Sequence, residues 1–383
     1  VSHTSGQFDD AVVGAGILGL AHAYHLARRG RRVVVYERGA RAEGASVRNF
    51  GMIWPIGQPA GPARALALRS RDLWLDVLRS AGLWHEQVGS VHLAYHADEA
   101  DVLREFAARA ADEGLACEVL SPEEVGARSP AVVQRGLVAG LYSAAEVCVD
   151  PREAVAGIAG WLERSLGVQF RFGRTVVGFD RPRVRTTDDR ASDQADRLWV
   201  CSGDDLQSLY PETLGGLGLV RCKLQMMRAA PPDGGRRIGP MLAAGLTLRH
   251  YKSFEGCPGL AALRERVARE SPEFDRYGIH VMVSQNGLGE LTIGDSHEYG
   301  DAIGPFDKAE IDELVLDYLA TFLDLKPAIT GRWHGTYAKH PTDPYAVASP
   351  APGVTAVTGV GGAGMTLSFG LAERVVGRVL EEG

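Results

Sequence analysis

The chain has 383 residues, 45% hydrophobic and 23% charged, which is ordinary globular composition with roughly two to three domains' worth of sequence. A formal net charge of −7 leaves no basic footprint for nucleic acid, though a local positive pocket for a small anion is compatible with it. The five cysteines, Cys117, Cys148, Cys201, Cys222 and Cys257, are scattered and form no CxxC pair. They signal neither a zinc site nor a disulfide scaffold, and they suit a reducing, cytoplasmic setting.

Val1 to Gln7 is small and polar and reads as a disordered lead-in. No basic start followed by an apolar run suggests a signal peptide. Ala11, Val12 and Val13 are a short apolar run of buried-strand type, and Gly14, Gly16 and Gly19 follow as GxGxxG. Ile17 to Arg29 has helical spacing; it holds His22 and His25 and is no membrane span. Val33 to Tyr36 is a second strand, and Glu37 stands at its end. One βαβ unit of this kind aims backbone N–H groups at a pyrophosphate on the helix N-terminus, with an acid about 20 residues on for a ribose hydroxyl. A carboxylate there repels a 2′-phosphate, so the ligand expected is FAD or NAD rather than NADP.

Further along, Arg64 to Leu83 reads as a helix, Ser90 to Tyr95 as a strand and Glu99 to Glu113 as a helix. Ser121-Pro122-Glu123-Glu124 is a capping box that starts another. A helix opens at Val149-Asp150-Pro151 and runs to Leu166, before strands at Val168 to Phe172 and Val176 to Phe179. Leu198 to Cys201 is a buried strand that runs into a turn at Ser202-Gly203 and returns to the nucleotide sheet. Lys223 to Arg228 is strand-like, and Pro231 to Gly235 is a loop. His280 to Tyr299 reads as a hairpin with Asn286-Gly287 as its turn signal. Asp307 to Phe322 is a helix, Val354 to Val357 a buried strand, and glycines 359–364 precede a last helix from about Leu367 to Leu380.

The expected architecture is α/β. A discontinuous Rossmann-like domain (8–88, 141–220 and 330–383) carries an inserted α+β substrate domain (89–140 and 221–329) with an antiparallel sheet.

The opening GAGILG with Glu37, the loop GASVRNFGM and the terminal VTGVGGAGMTLSFGLAE together resemble the D-amino-acid oxidase, glycine oxidase and sarcosine oxidase family of FAD-dependent amine oxidoreductases. The resemblance runs over nearly the whole chain. SVRNFGMIWPIGQP, the hairpin ending GDSHEY, and RWHGTYAKHP look most like a bacterial branch found beside phosphonate-catabolism genes, proposed to oxidise an aminophosphonate related to 2-aminoethylphosphonate.

The resemblance implies that Gly14, Gly16 and Gly19, with Ile17 and Leu18 between them, cradle the FAD pyrophosphate. It implies that Glu37, beside Arg38, holds the adenosine ribose. Ser46, Arg48, Asn49 and Gly51 fall in the loop along pyrophosphate and flavin, and Met52 close to the ring. Val176, Ser202 and Gly203 complete the cofactor side. Gly361, Gly362, Gly364, Met365 and Thr366 sit where amides at a helix N-terminus stabilise reduced flavin.

Three positions depart from the family. The arginine that clamps a substrate carboxylate falls at Tyr337, which cannot form a charged fork. The cysteine that tethers FAD in sarcosine oxidases falls at Gly335, so non-covalent FAD is expected. The oxygen-activating lysine falls at about Thr292, leaving O2 or another acceptor open.

His297 and His334 lie in segments the family places around substrate, with Lys339 and His340 nearby, and Trp54, Tyr251 and Tyr337 are candidate walls. No metal site is expected, since no carboxylate–histidine set appears on one helix. The function expected is oxidative deamination of a small amine, its phosphonate held by some of Arg48, Tyr337, Lys339 and His340. An amino or imino acid oxidase or dehydrogenase anchored by Arg332 or Arg48 is the alternative, and a flavin-binding protein without turnover a third.

Overall fold

A computed structural model describes residues 6–188 and 192–382. Of the expected lead-in, residues 1–5 lie outside the described residues, whereas Gln7 already begins the first strand, Gln7–Val13. Gln7 is drawn in by sheet pairing, opposite Gln194.

The first sheet has a parallel centre. Gln7–Val13 lies between Val33–Glu37 and Gln194–Val200, with Gln169–Phe172 beyond the former and Val354–Thr358 beyond the latter. Strands buried on both faces read as unbroken apolar runs, and this is why VVVY and LWV stand out in the sequence. One face is covered by the helices Ile17–Ala27, Pro62–Ala81, Pro151–Leu166 and Gly364–Glu381. The last of these starts at Gly364, three residues earlier than expected, because Gly361–Ala363 forms a 3-10 turn that runs straight into it. The helix expected at Glu99 to Glu113 spans Ala97–Ala110, with His96 and Glu99 forming a capping box.

The second sheet has nine strands among the described residues and holds the larger core cluster. It is antiparallel except where Met241–Ala244 runs parallel to Ser90–Ala94. The expected hairpin forms from Met282–Gln285 and Leu291–Gly294, but its loop is longer than a two-residue Asn-Gly turn. Asn286 donates its backbone N–H to Glu290 O and accepts the Glu290 amide on its side chain.

The expected boundaries need correcting at two places. Ile329–Lys339, placed with the nucleotide domain from residue 330, is hydrogen-bonded along Val220–Ala229 in the second sheet. Ala139–Ser143 likewise pairs with Ser90–Ala94. Both strands alternate or carry glycine, so their sequence does not say which sheet claims them; the partner strand does.

Candidate active site

Between the two sheets lies a cavity of about 740 Å³, within the range of small-molecule and cofactor sites. Its nucleotide end is built by the first βαβ unit. Gly14 has φ +99, and a Cβ there would lie 2.4 Å from Cys201 O. The strand can therefore turn into the helix here only without a side chain. Gly16 and Leu18 also line the space, while the Ile17 amide donates to Ser46 Oγ at 2.9 Å. Glu37 takes amide hydrogens from Ala15 and Gly39, at 3.0 and 2.9 Å, which orients its carboxylate at the cavity edge. Arg38 lines the same end, paired with Asp205. Val176, Ser202 and Gly203 complete the wall.

Two expected cradle glycines do something else. Gly19 does not line the cavity; a Cβ there would sit 1.9 Å from Gly14 O, so it lets the helix pack on the turn. Gly51 is also outside the lining, with φ +72 and Val149 O 1.9 Å from any added Cβ. Both glycines are required by backbone approach rather than by a ligand.

The middle of the cavity is shaped by the loop 44–52 and by the turn before the last helix. Asn49 donates to Ala45 O and Ser46 O and accepts from the Gly51 amide, so its side chain holds the loop closed on itself. Met52, Trp54, Gly361, Gly362, Gly364, Met365 and Thr366 line this stretch. Thr366 Oγ1 accepts the Trp54 amide at 2.9 Å and so ties the two segments together. A side-chain-free turn opening a helix is again a place for an anionic or electron-rich group.

The far end is supplied by the second sheet. Tyr337 and Lys339 come from Ile329–Lys339, and Arg48 donates Nη1 to His334 O at 3.2 Å, fastening the loop to that strand. Lys339 Nζ donates to Tyr299 Oη at 3.2 Å, and burial lowers its pKa below the ordinary lysine value. Burial also pushes the Tyr337 phenol well above its usual range. His340 lines this end and accepts the Asp343 amide on Nδ1 at 2.9 Å.

Three candidates leave the site. His334 does not line the cavity; its Nδ1 is 2.8 Å from Asp307 Oδ1, because strand alternation turns it away from Tyr337. Arg332 is exposed and paired with Asp312 at 2.9 Å, so it anchors nothing in the cavity. Thr292, the expected counterpart of the oxygen-activating lysine, also lies outside the lining.

His297 stays, and with it the structure brings residues the sequence reading had not joined. His250, His280 and His297 have ring nitrogens within 4.8 Å of one another, and Asp295 lies among them, all on the cavity wall. His280 Nε2 is 3.2 Å and His297 Nε2 3.9 Å from the Asp295 carboxylate. Their ring centroids are 3.9 to 5.1 Å apart with interplanar angles of 16° to 40°. Continuing the hairpin register past Met282 and Gly294 would set His280 opposite Ser296; a one-residue shift there brings it opposite Asp295 instead, and the sequence carries no signal of that shift.

Cavity, paired glycine turns and strand-end acid define a dinucleotide-type flavoprotein site closed by a second sheet. Residues 9–378 match the DAO family, described as FAD dependent oxidoreductase, and the chain belongs to that family. It is 24% identical over 225 residues to D-amino acid dehydrogenase 2 of Mesorhizobium japonicum, covering 44% of this chain and 54% of that protein. Over 69 residues it is 38% identical to glycine oxidase of Geobacillus kaustophilus, 18% of either chain. The chain thus matches about half or less of the length of these curated relatives. In fold it is similar to the crystal structure of glycine oxidase from Geobacillus kaustophilus, with TM-score 0.77 and 20% identity over 99% of this chain and 95% of that one.

FAD is the family's cofactor, and the cavity fits it. Gly14, Gly16 and the Glu37 carboxylate would hold the adenosine diphosphate part. Met52 and the Gly361–Thr366 segment would face the ring. The structure has no disulfide among the described residues and no helix long and apolar enough to cross a membrane.

Proposed function

We propose that the chain oxidises a small primary amine bearing an anionic group, hydride passing from the amine-bearing carbon to FAD and the imine hydrolysing to carbonyl and ammonia. Bound FAD supplies the two-electron acceptor; the protein orients the amine against it and excludes water. The observation that carries this reading is the pair of cations Arg48 and Lys339. Both line the cavity, and neither is paired with a carboxylate among the described residues. Half-buried cations without a carboxylate partner are matched by an anionic ligand group.

Lys339, Lys252 and His340 are compact donors at this end, and point charges suit the three oxygens of a phosphonate. They support an aminophosphonate related to 2-aminoethylphosphonate. The names of the relatives, D-amino acid dehydrogenase and glycine oxidase, favour a second reading as an amino or imino acid oxidase or dehydrogenase. Arg48 is then the carboxylate anchor, since Arg332 points elsewhere. FAD is held without a covalent bond in either case, since Gly335 offers no side chain for a tether. O2 or another acceptor reoxidises it.

The test is anaerobic bleaching of the flavin with 2-aminoethylphosphonate, glycine, sarcosine and D-alanine. Bleaching by the aminophosphonate alone supports the first substrate class, and bleaching by amino acids alone the second. No bleaching by any amine refutes the amine reading and leaves a flavin-binding protein without this turnover.

A further inference from the structure

The feature of the cavity that neither cofactor binding nor anion binding uses is the buried group His280–Asp295. Its placement follows from the hairpin. Beyond Met282 and Gly294, His280 and Asp295 exchange two backbone hydrogen bonds, His280 N–H to Asp295 O at 3.2 Å and Asp295 N–H to His280 O at 2.8 Å. Two side chains on facing feet of one hairpin are thereby held together at the cavity wall. The side chains themselves are unsatisfied. Both ring nitrogens of His280 and Oδ1 of Asp295 are buried without a hydrogen-bond partner, since the 3.2 Å approach of Nε2 to Oδ1 is not angled as a hydrogen bond. Burying such groups unpaired is unfavourable, so a native structure that keeps them calls for an explanation.

An amine substrate has a requirement that matches. It arrives as an ammonium ion, with a pKa near that of lysine, and its nitrogen must lose a proton before its lone pair can support departure of the hydride. We propose that His280 and Asp295 are the acceptor of that proton, and this rests on the amine reading above. The ammonium N–H bond breaks, the nitrogen keeps the electron pair, and the proton goes to a free lone pair of the His280–Asp295 pair. After the imine has been hydrolysed to carbonyl and ammonium, the pair releases this proton to solvent water and is reset. His280 and Asp295 would then touch the substrate nitrogen and be catalytic residues. His297 is a positioning residue: its Nδ1 is 3.1 Å from Gly278 O, and donation there leaves Nε2, on the Asp295 side, as the lone-pair nitrogen.

The surroundings agree with a neutral acceptor in the empty site. Burial lowers His280 and His250 well below the ordinary histidine value and His297 to about 4; it raises Asp295 well above the carboxylate range. Positive charge from Arg249 acts on His280 and His250, and from Lys339 on His250 and His297, and it further disfavours imidazolium. The phenols of Tyr251, Tyr299 and Tyr337 and the Cys222 thiol, which also feel Asp295, are all raised and stay neutral. Among the described residues, the Lys and Arg side chains whose charge acts on the three rings are Arg249, itself paired with Asp275, and Lys339.

The experiment uses the FAD-loaded protein and whichever amine of the panel bleaches it. Asp295→Asn should lower kcat/KM at pH 7 by about 100-fold, the usual size of a general-base effect. The variant's kcat/KM should then climb about tenfold per pH unit as the free amine fraction in solution rises, while the wild type changes less. His280→Gln should show the same slope and decides the matter if Asp295→Asn does not hold flavin. Independently of turnover, 15N-histidine spectra of the resting protein should show His280 unprotonated from about pH 6 to pH 9. An equal pH profile in wild type and variants, or a protonated His280 at neutral pH, overturns the acceptor role and leaves the amine reading standing. Failure of every amine to bleach the wild type overturns both.

Discussion

Replacing Lys339 by methionine keeps the length of the stem and removes the charge. In the structure this cation is half-buried, its ammonium partnered among the described residues by the Tyr299 hydroxyl, beside the Gly361 turn and facing the cavity. A charge-assisted hydrogen bond to an anionic substrate group contributes about 1.5–3 kcal/mol. At about 1.4 kcal/mol per factor of ten, Lys339→Met should raise KM roughly 10- to 150-fold. Such a contact is present in ground state and transition state alike, so kcat should change little. The sign of the pH effect is also determined. Burial holds the Lys339 pKa below the free lysine value, so the cation is lost as pH rises through that lowered pKa. Wild-type KM should therefore climb on the alkaline side, and in Lys339→Met that climb should disappear. The assay is anaerobic stopped-flow bleaching of the flavin over a range of substrate concentrations and pH. A variant with wild-type KM and an unchanged alkaline limb would show that the anion is held on another wall.

Three further outcomes concern stability and cofactor retention. Glu146 is buried, accepting hydrogen bonds from the Ile56 amide and the Ser90 hydroxyl, and burial raises its pKa to about 7. The folded state thus holds a proton that the unfolded state releases above the ordinary Glu value, and stability is lost as pH rises from about 4.5 to about 7. Glu146→Gln should match wild type at pH 5 and melt higher at pH 8, by thermal denaturation; a pH-independent difference refutes this. Gly14→Ala forces a Cβ to 2.4 Å from Cys201 O at positive φ and should release FAD and cost about 1–3 kcal/mol or more, whereas Gly44→Ala meets nothing within 4 Å and should leave the flavin absorbance ratio unchanged. His92 is buried between Trp54 and Phe254 with neither ring nitrogen satisfied, and His92→Phe should raise the melting temperature by removing about 1–3 kcal/mol of unpaired polar burial. A lower melting temperature would mean that a buried water satisfies the ring.

Local chemistry determined the nucleotide half of this protein. The run AVV before GAGILG, the acid after VVVY and the terminal glycines before an apolar helix are constrained within a few residues of one another. A turn without side chains and a strand buried on both faces leave few other sequences possible. Tertiary structure decided what pairing across distance decides. Gly19 and Gly51 carry the same letter as Gly14, and all three face a backbone carbonyl, but of the three only Gly14 also lines the cavity, which packing alone decides. His334 and Tyr337 are three residues apart on one strand, and only the sheet's alternation turns one toward Asp307 and the other into the cavity. Ile329–Lys339 went to the second sheet because Val220–Ala229 was there to pair with it, which no window of either strand contains. His250 ends the helix Gly245–His250, whereas His280, Asp295 and His297 flank the hairpin, so their convergence on the cavity wall is a property of the folded hairpin and its neighbours, not of any motif.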